Sequence, residues 1–328
     1  MQEFNDYDIN IPDLVYDILD YFRVNNNVRA PKDKSIIDFC DSYKNNNTPA
    51  TNGRMVQPPV VHKICENLVK KGELNRIRTG IAAGGIDANY LYLPGNDAVF
   101  LMKHPIVLFR HNCMAYGFPY IYAKYKNIVL PVIVKTSDDR ITMGTCFRFN
   151  MGILTAKHCL DAKEVWIMGY TADQLKQCPV YISKNKDLDM AYIDLGEQAP
   201  IIHEEANVLD EVLAMGYPKI PMFSDFCTAE RAVVSSISTK GAVASIADQY
   251  MSPGSGPLML VTARIRGGNS GGPIINSNGA VVGLAFAEPL SKGDYDDMGY
   301  GIAYPISVYF QMLKQCTTMQ VNFVDEVQ

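Results

Sequence analysis

The chain has 328 residues, of which 48% are hydrophobic and 20% charged, with a net charge of −5 at neutral pH. This is enough chain for about two domains with real cores and reads as an ordinary soluble globular protein, and the charge balance argues against a bulk binder of polyanions. Residues Met1 to Asp13 are acidic and polar, without a positive n-region or an apolar h-region, and no apolar run of about 18 residues follows. Neither export nor membrane insertion is therefore expected, and a cytoplasmic location is predicted. The eight cysteines, at 40, 65, 113, 146, 159, 178, 227 and 316, are dispersed and are expected to be reduced thiols. No Cys-x-x-Cys or His/Cys cluster has metal spacing, so neither metal nor cofactor is predicted.

The N-terminal residues carry a helical rhythm. Ile11, Leu14, Val15, Ile18, Leu19 and Phe22 recur on one face, with Asn10 as a cap and Pro12 in the first turn. A second, shorter helix uses Ile36, Ile37, Cys40 and Tyr43 and ends in Asn45-Asn46-Asn47. A third begins near Pro58-Pro59, turns Val60, Val61, Ile64, Cys65, Leu68 and Val69 inward, and stops at Gly72. A hairpin follows: Glu73 to Arg78, a Gly84-Gly85 turn, then Ala88 to Leu93. Three helices and a two-stranded wing resemble a winged helix-turn-helix over residues 1–95. That resemblance implies nucleic-acid contact through Lys63, Lys70, Lys71, Arg76 and Arg78, or docking of a protein partner instead. Residues 1–95 hold 11 Lys/Arg against 12 Asp/Glu, so any basic face is local.

Residues 96–127 are aromatic-rich and read as a packed connector between domains. His104-Pro105 is expected to break any long helix, and Val107-Leu108-Phe109 fits a strand or a buried turn. His104 and His111 have no acid pattern beside them and read as structural or surface residues. From Ile128 the texture becomes β. Ile128 to Val134 forms the first strand, Asp138-Asp139 a turn and Gly144 to Phe149 the next strand, and short apolar runs continue up to Ser270. Residues Pro305 to Gln315 fit a closing helix.

Three segments carry chemistry. Ser270 sits in Gly267-Gly268-Asn269-Ser270-Gly271-Gly272-Pro273, where glycines let backbone N–H groups approach a substrate carbonyl. A serine hydroxyl needs a base, and His158 in Thr155-Ala156-Lys157-His158-Cys159 supplies one. Asp189, in Asp189-Met190-Ala191-Tyr192-Ile193, is suited to orient the imidazole, with Asp187 and Asp194 as rival acids. The boxes TAKHC, DMAYI and GNSGGP, in that order, resemble those of trypsin-like serine peptidases. Asn269 and the segments Ala214 to Pro218 and Gly299 to Pro305 are similar to the compact HtrA-type branch. The likeness covers about residues 128–312.

The resemblance implies a mainly β fold: a chymotrypsin-like double β-barrel at 128–328, with two antiparallel six-stranded barrels, preceded by the small α/β winged-helix-like domain. It implies His158, Asp189 and Ser270 as the triad and the Gly268 and Ser270 amides as the oxyanion hole. Cys146 and Cys159 flank the histidine strand where many secreted relatives have a disulfide; Cys146 lies within the opening turn rather than before it, so free thiols are expected here too. Arg264, Ile265, Phe286 and Glu288 fall at the primary pocket, where an arginine in place of an acid disfavours basic substrates and suits an apolar or acidic one. The strand Val281 to Ala287 would lie beside the extended substrate. The chain thus reads as an intracellular endopeptidase acting on a protein or peptide, with an N-terminal recruitment or sensing module. The other reading is a DNA-binding regulator whose protease domain cuts itself or serves as a platform.

Overall fold

The computed structural model describes residues 13–24, 34–46, 56–78, 87–93, 102–199, 201–218, 236–247, 256–286 and 299–327. The chain divides into two compact units, residues 1–121 and 122–328.

In the first unit, helix α1 (Leu14–Phe22) turns Leu14, Val15, Ile18, Leu19 and Phe22 into the core. Each such side chain contributes roughly 1.5–3 kcal/mol on burial. Asp13 stands at its N-cap; Asn10 and Pro12, expected to open this helix, lie outside the described residues. Helix α2 (Ile36–Asn46) buries Ile36, Phe39, Cys40 and Tyr43. Ile37, expected inward, instead faces out, because one residue advances a helix by about 100° and Phe39 completes the inward stripe. Helix α3 (Pro58–Lys70) buries Val61, Ile64, Cys65 and Leu68. It ends at Gly72, which adopts φ +79° while the Glu73 N–H returns to the Leu68 carbonyl at 2.9 Å. Strands β1 (Asn75–Arg78) and β2 (Asn89–Leu91) pair antiparallel; the Gly84-Gly85 turn lies outside the described residues.

Where a helix break was expected at His104-Pro105, helix α4 (Pro105–Tyr116) begins. Proline is tolerated at the first helical position, since the N–H it lacks would have no partner there. The His104 ring accepts from the Ile106 N–H at 3.3 Å. Ala115 joins the core of the first three helices, and the Asn67 side chain donates to its carbonyl. His111, buried, faces Glu73 at 3.7 Å. Helix α5 (Phe118–Tyr125) follows.

The second unit is almost entirely β. Strands β3 (Val129–Lys135), β4 (Ile141–Phe149), β5 (Gly152–Thr155), β6 (Glu164–Ile167), β7 (Val180–Ser183), β8 (Ala191–Asp194) and β15 (Cys316–Thr318) form a seven-stranded sheet in the order β15-β7-β8-β5-β4-β3-β6. Strands β9 (Glu211–Gly216), β10 (Ile237–Ala247), β11 (Leu258–Val261), β12 (Pro273–Asn276), β13 (Val281–Phe286) and β14 (Gly301–Pro305) close into a barrel. Only the second of the two expected six-stranded barrels therefore closes on its own strands.

The first is completed by the C-terminal segment. After helix α6 (Ser307–Lys314), β15 adds to β7, and the same run continues to β6, where the Val165 N–H donates to Asn322 and the Val324 N–H donates to Val165, both at 2.9 Å. Phe323 is buried in the core of this sheet. The tail thus fills the gap between the two sheet edges like a stave. All seven cysteines among the described residues are free thiols, Cys146 and Cys159 included.

Candidate active site

Adjacent strand ends deliver the histidine and the aspartate. Strands β5 and β8 are antiparallel neighbours, with Thr155 opposite Ala191. His158 lies on the single 3-10 turn Lys157–Cys159 just past β5, and Asp189 lies just before β8. The buried Cys159 and Leu160 anchor that turn in the sheet core. The Asp189 carboxylate holds His158 at two points: one oxygen accepts from the backbone N–H at 2.7 Å, and the other pairs with ring Nδ1. The Asp189 N–H reaches the Tyr304 hydroxyl of β14 at 3.4 Å, which ties the acid to the closed barrel.

Burial opposes charge on His158, but the Asp189 carboxylate on Nδ1 and the neighbouring Cys159 together outweigh it and raise the imidazole above its ordinary value. Of the rival acids, Asp194 has its carboxylate engaged elsewhere. The Asp187 N–H binds the Asn185 side chain, and the Asp194 carboxylate accepts from the Gly196 N–H.

Ser270 is buried, 3% exposed, in the turn between β11 and β12. The Asn269 N–H donates to the Arg266 carbonyl at 2.9 Å and Gly268 has φ +100°, the pattern of a type II turn that favours glycine at its third position. Beyond the serine, Gly271 binds Ala285, and Ala285 binds Gly272, at 2.8 and 2.7 Å. The Ser270 carbonyl accepts from the Thr145 N–H at 2.9 Å and meets the Cys159 thiol at 3.6 Å. The residue after the histidine therefore touches the serine's own carbonyl.

Residues 143–284 match the family model described as "Trypsin-like peptidase domain". That stretch is a trypsin-like peptidase domain. Magnetosome formation protease MamE of Paramagnetospirillum magneticum (strain ATCC 700264 / AMB-1) is 27% identical over 127 residues, 37% of this chain and 16% of MamE. The chain thus matches about a sixth of that relative's length. Among solved structures, the active form of the Rv3671c protease from M. tuberculosis is 18% identical, with 63% of this chain and 89% of that one covered and a TM-score of 0.45. The HtrA-type protease AlgW with tripeptide is 17% identical, with 59% and 61% covered and a TM-score of 0.43.

Of the residues expected at the primary pocket, Ile265 lies against Gly301, where an added Cβ would fall 2.7 Å from its side chain. Phe286 packs on Tyr304 with ring centroids 4.8 Å apart. Arg264 is exposed, its carbonyl accepting from the Thr239 hydroxyl. Glu288 lies outside the described residues. The described part of β13 is paired on both sides, by β12 and β14, so any edge free for a substrate strand lies past Phe286. Sequence reasoning missed Thr145 and Tyr304, whose hydroxyls reach the serine turn and the aspartate. The Thr between Gly144 and Cys146 was the available signal, in a segment read only as a strand and its opening turn.

Lys63, Lys70, Lys71 and Arg76 are exposed on α3, its end and β1, and Arg78 ends β1. Arg76 is paired with Glu66, which also accepts from the buried Tyr90 hydroxyl at 2.7 Å. Among the described residues there is no group of three His, Cys, Asp or Glu able to hold a metal, and no helix is long and apolar enough to cross a membrane.

Proposed function

We propose that the chain is a cytoplasmic serine endopeptidase that hydrolyses peptide bonds through Ser270, His158 and Asp189. The observation that carries this reading is the two-point grip of Asp189 on His158 beside a glycine-framed Ser270. With Nδ1 committed to the carboxylate, Nε2 is the ring nitrogen left to take the serine proton. Ser270 Oγ attacks the substrate carbonyl carbon, His158 receives the proton and passes it to the leaving amine, and a water repeats the sequence to release the acyl group. The Gly268 and Ser270 amides are proposed to hold the oxyanion; losing one such donor costs on the order of 10²–10³ in rate. The test is labelling by a fluorophosphonate probe, read by intact mass. Wild type is expected to gain one adduct and Ser270→Ala none; an unlabelled wild type would overturn the proposal.

The packing of Ile265 on Gly301, with Phe286 nearby, supports an apolar preference at the primary pocket rather than an acidic one. Dominant cleavage after Lys or Arg in a peptide library would refute it. Residues 1–95 are proposed to act as a winged helix-turn-helix-like recruitment module, joined by residues 96–127 as a connector. Support comes from three helices, the β1–β2 pair extended by a bridge from Ser35 to Asn89, and the exposed side chains of Lys63, Lys70, Lys71 and Arg76. A salt-dependent mobility shift of duplex DNA, lost in Lys63→Glu/Lys70→Glu, would assign the partner as nucleic acid; no shift would assign it as protein.

A further inference from the structure

The hydroxyl of Thr145 is buried in the peptidase domain, fully committed, and aimed at the nucleophile turn. Thr145 lies in β4 and is 0% exposed. Its Oγ1 donates to the Gly268 carbonyl at 2.7 Å and accepts from the Tyr217 N–H at 2.9 Å. Its own N–H donates to the Ser270 carbonyl at 2.9 Å, and its carbonyl accepts from the Thr155 hydroxyl at 2.7 Å. Thr155 ends the strand that leads into His158.

One residue therefore grips the turn at two carbonyls, 268 and 270. The peptide between them carries the Ser270 N–H. The neighbouring side chain does not share this task at its acceptor end: Asn269 is 5% exposed, and its Oδ1 has no hydrogen-bond partner among the described residues. Gly216 leaves the space, since a Cβ there would meet Asn269 Oδ1 at 2.8 Å and Thr145 Oγ1 at 2.9 Å.

We propose that Thr145 is a positioning residue for acyl transfer: its hydroxyl and N–H bolt the serine turn to the histidine strand and set the direction of the Ser270 amide. The proposal rests on the peptidase reading above. Thr145→Val keeps the shape and the backbone N–H but removes the hydroxyl, leaving the Gly268 carbonyl and the Tyr217 N–H unpaired in a buried site. Thr145→Ser keeps the hydroxyl and loses only a methyl.

The experiment compares wild type, Thr145→Val and Thr145→Ser in peptide hydrolysis, fluorophosphonate labelling rate, and hydrogen exchange of the segment 266–272. For Thr145→Val, kcat and the labelling rate are expected to fall about 10- to 100-fold with KM nearly unchanged, less than the loss of an oxyanion donor itself. Exchange within 266–272 should quicken about tenfold, and Thr145→Ser should restore all three readouts. A folded Thr145→Val that reacts and exchanges like wild type would overturn the proposal, as would a Thr145→Ser as slow as the valine variant. If valine prevents folding, Thr145→Ala is read in the same way. If wild type is itself unreactive, the peptidase reading fails, while the exchange comparison still decides whether Thr145 holds the turn.

Discussion

Replacing Gly271 with alanine tests whether the serine turn is held as tightly as its contacts indicate. Gly271 has φ +85°, and a Cβ there would lie 2.1 Å from the Thr145 carbonyl oxygen, 2.5 Å from the Thr155 hydroxyl and 2.8 Å from the Ala156 nitrogen. The left-handed backbone alone costs alanine about 1–2 kcal/mol. Two of the three obstructing atoms are backbone and cannot rotate away, so β4 and β5 must shift. Breaking the Thr155–Thr145 bond leaves a buried carbonyl unpaired for about 1–3 kcal/mol more. The sum is roughly 2–5 kcal/mol, and at about 2–4 °C per kcal/mol for a unit of this size the melting temperature should fall by roughly 5–20 °C. Gly267, four residues earlier, has nothing within 4 Å of its Cβ position, and Gly267→Ala should change stability by less than about 1 kcal/mol. Paired thermal and urea unfolding, with fluorophosphonate labelling below the transition, measures both variants. Equal stability and equal labelling of the two would refute the reasoning that the turn is seated on Thr145.

Activity should rise with pH through a group lying above the ordinary histidine value near 6.5, because the Asp189 carboxylate raises His158 and the base must be neutral to accept a proton. Asp189→Asn should move that limb of the kcat/KM profile downward and cut kcat by about 10⁴. The linked stability has the opposite sense. With a folded value above the unfolded one, the His158–Asp189 contact contributes fully below about pH 6.5 and is lost as pH rises through the folded value; comparing wild type with His158→Gln in urea at several pH values checks this. Phe323→Ala should cost about 3–5 kcal/mol despite its place near the C-terminus, since Phe323 is 2% exposed in the sheet core. A loss under about 1 kcal/mol would mean that the tail is not part of the fold.

The proposed reacting residues stand out as candidates because their context is written locally. A histidine just past one strand, an aspartate just before another and a serine among glycines each carry their own context, and the pairing of β5 with β8 joins the first two. Helices α1 and α3 were legible from an apolar stripe alone. Helix α4 was not, because Pro105 looks the same in a sequence whether it ends a helix or begins one, and the deciding contact is the His104 ring on the Ile106 N–H. Ile37 was misplaced because Phe39, which went unread, completes the inward stripe with Ile36, Cys40 and Tyr43 and leaves Ile37 on the outer side. The closing strand was invisible for a different reason. Cys316 to Thr318 has no alternation, and its partners on β7 and β6 lie far back in the chain. Thr145 escaped notice because a threonine in a strand announces nothing; its meaning comes from the carbonyls facing it.

The stave formed by residues 316–324 also sets a timetable. Asn322 and Lys163, joined by a side-chain bond, are 159 positions apart in the chain, so the sheet bearing His158 and Asp189 cannot complete its hydrogen bonding until nearly the whole second unit has left the ribosome. Ordering of the proposed base and acid is thereby deferred until residue 324 has been made, and a nascent chain carrying Ser270 but not yet Phe323 has its proposed nucleophile before it has a finished sheet to activate it.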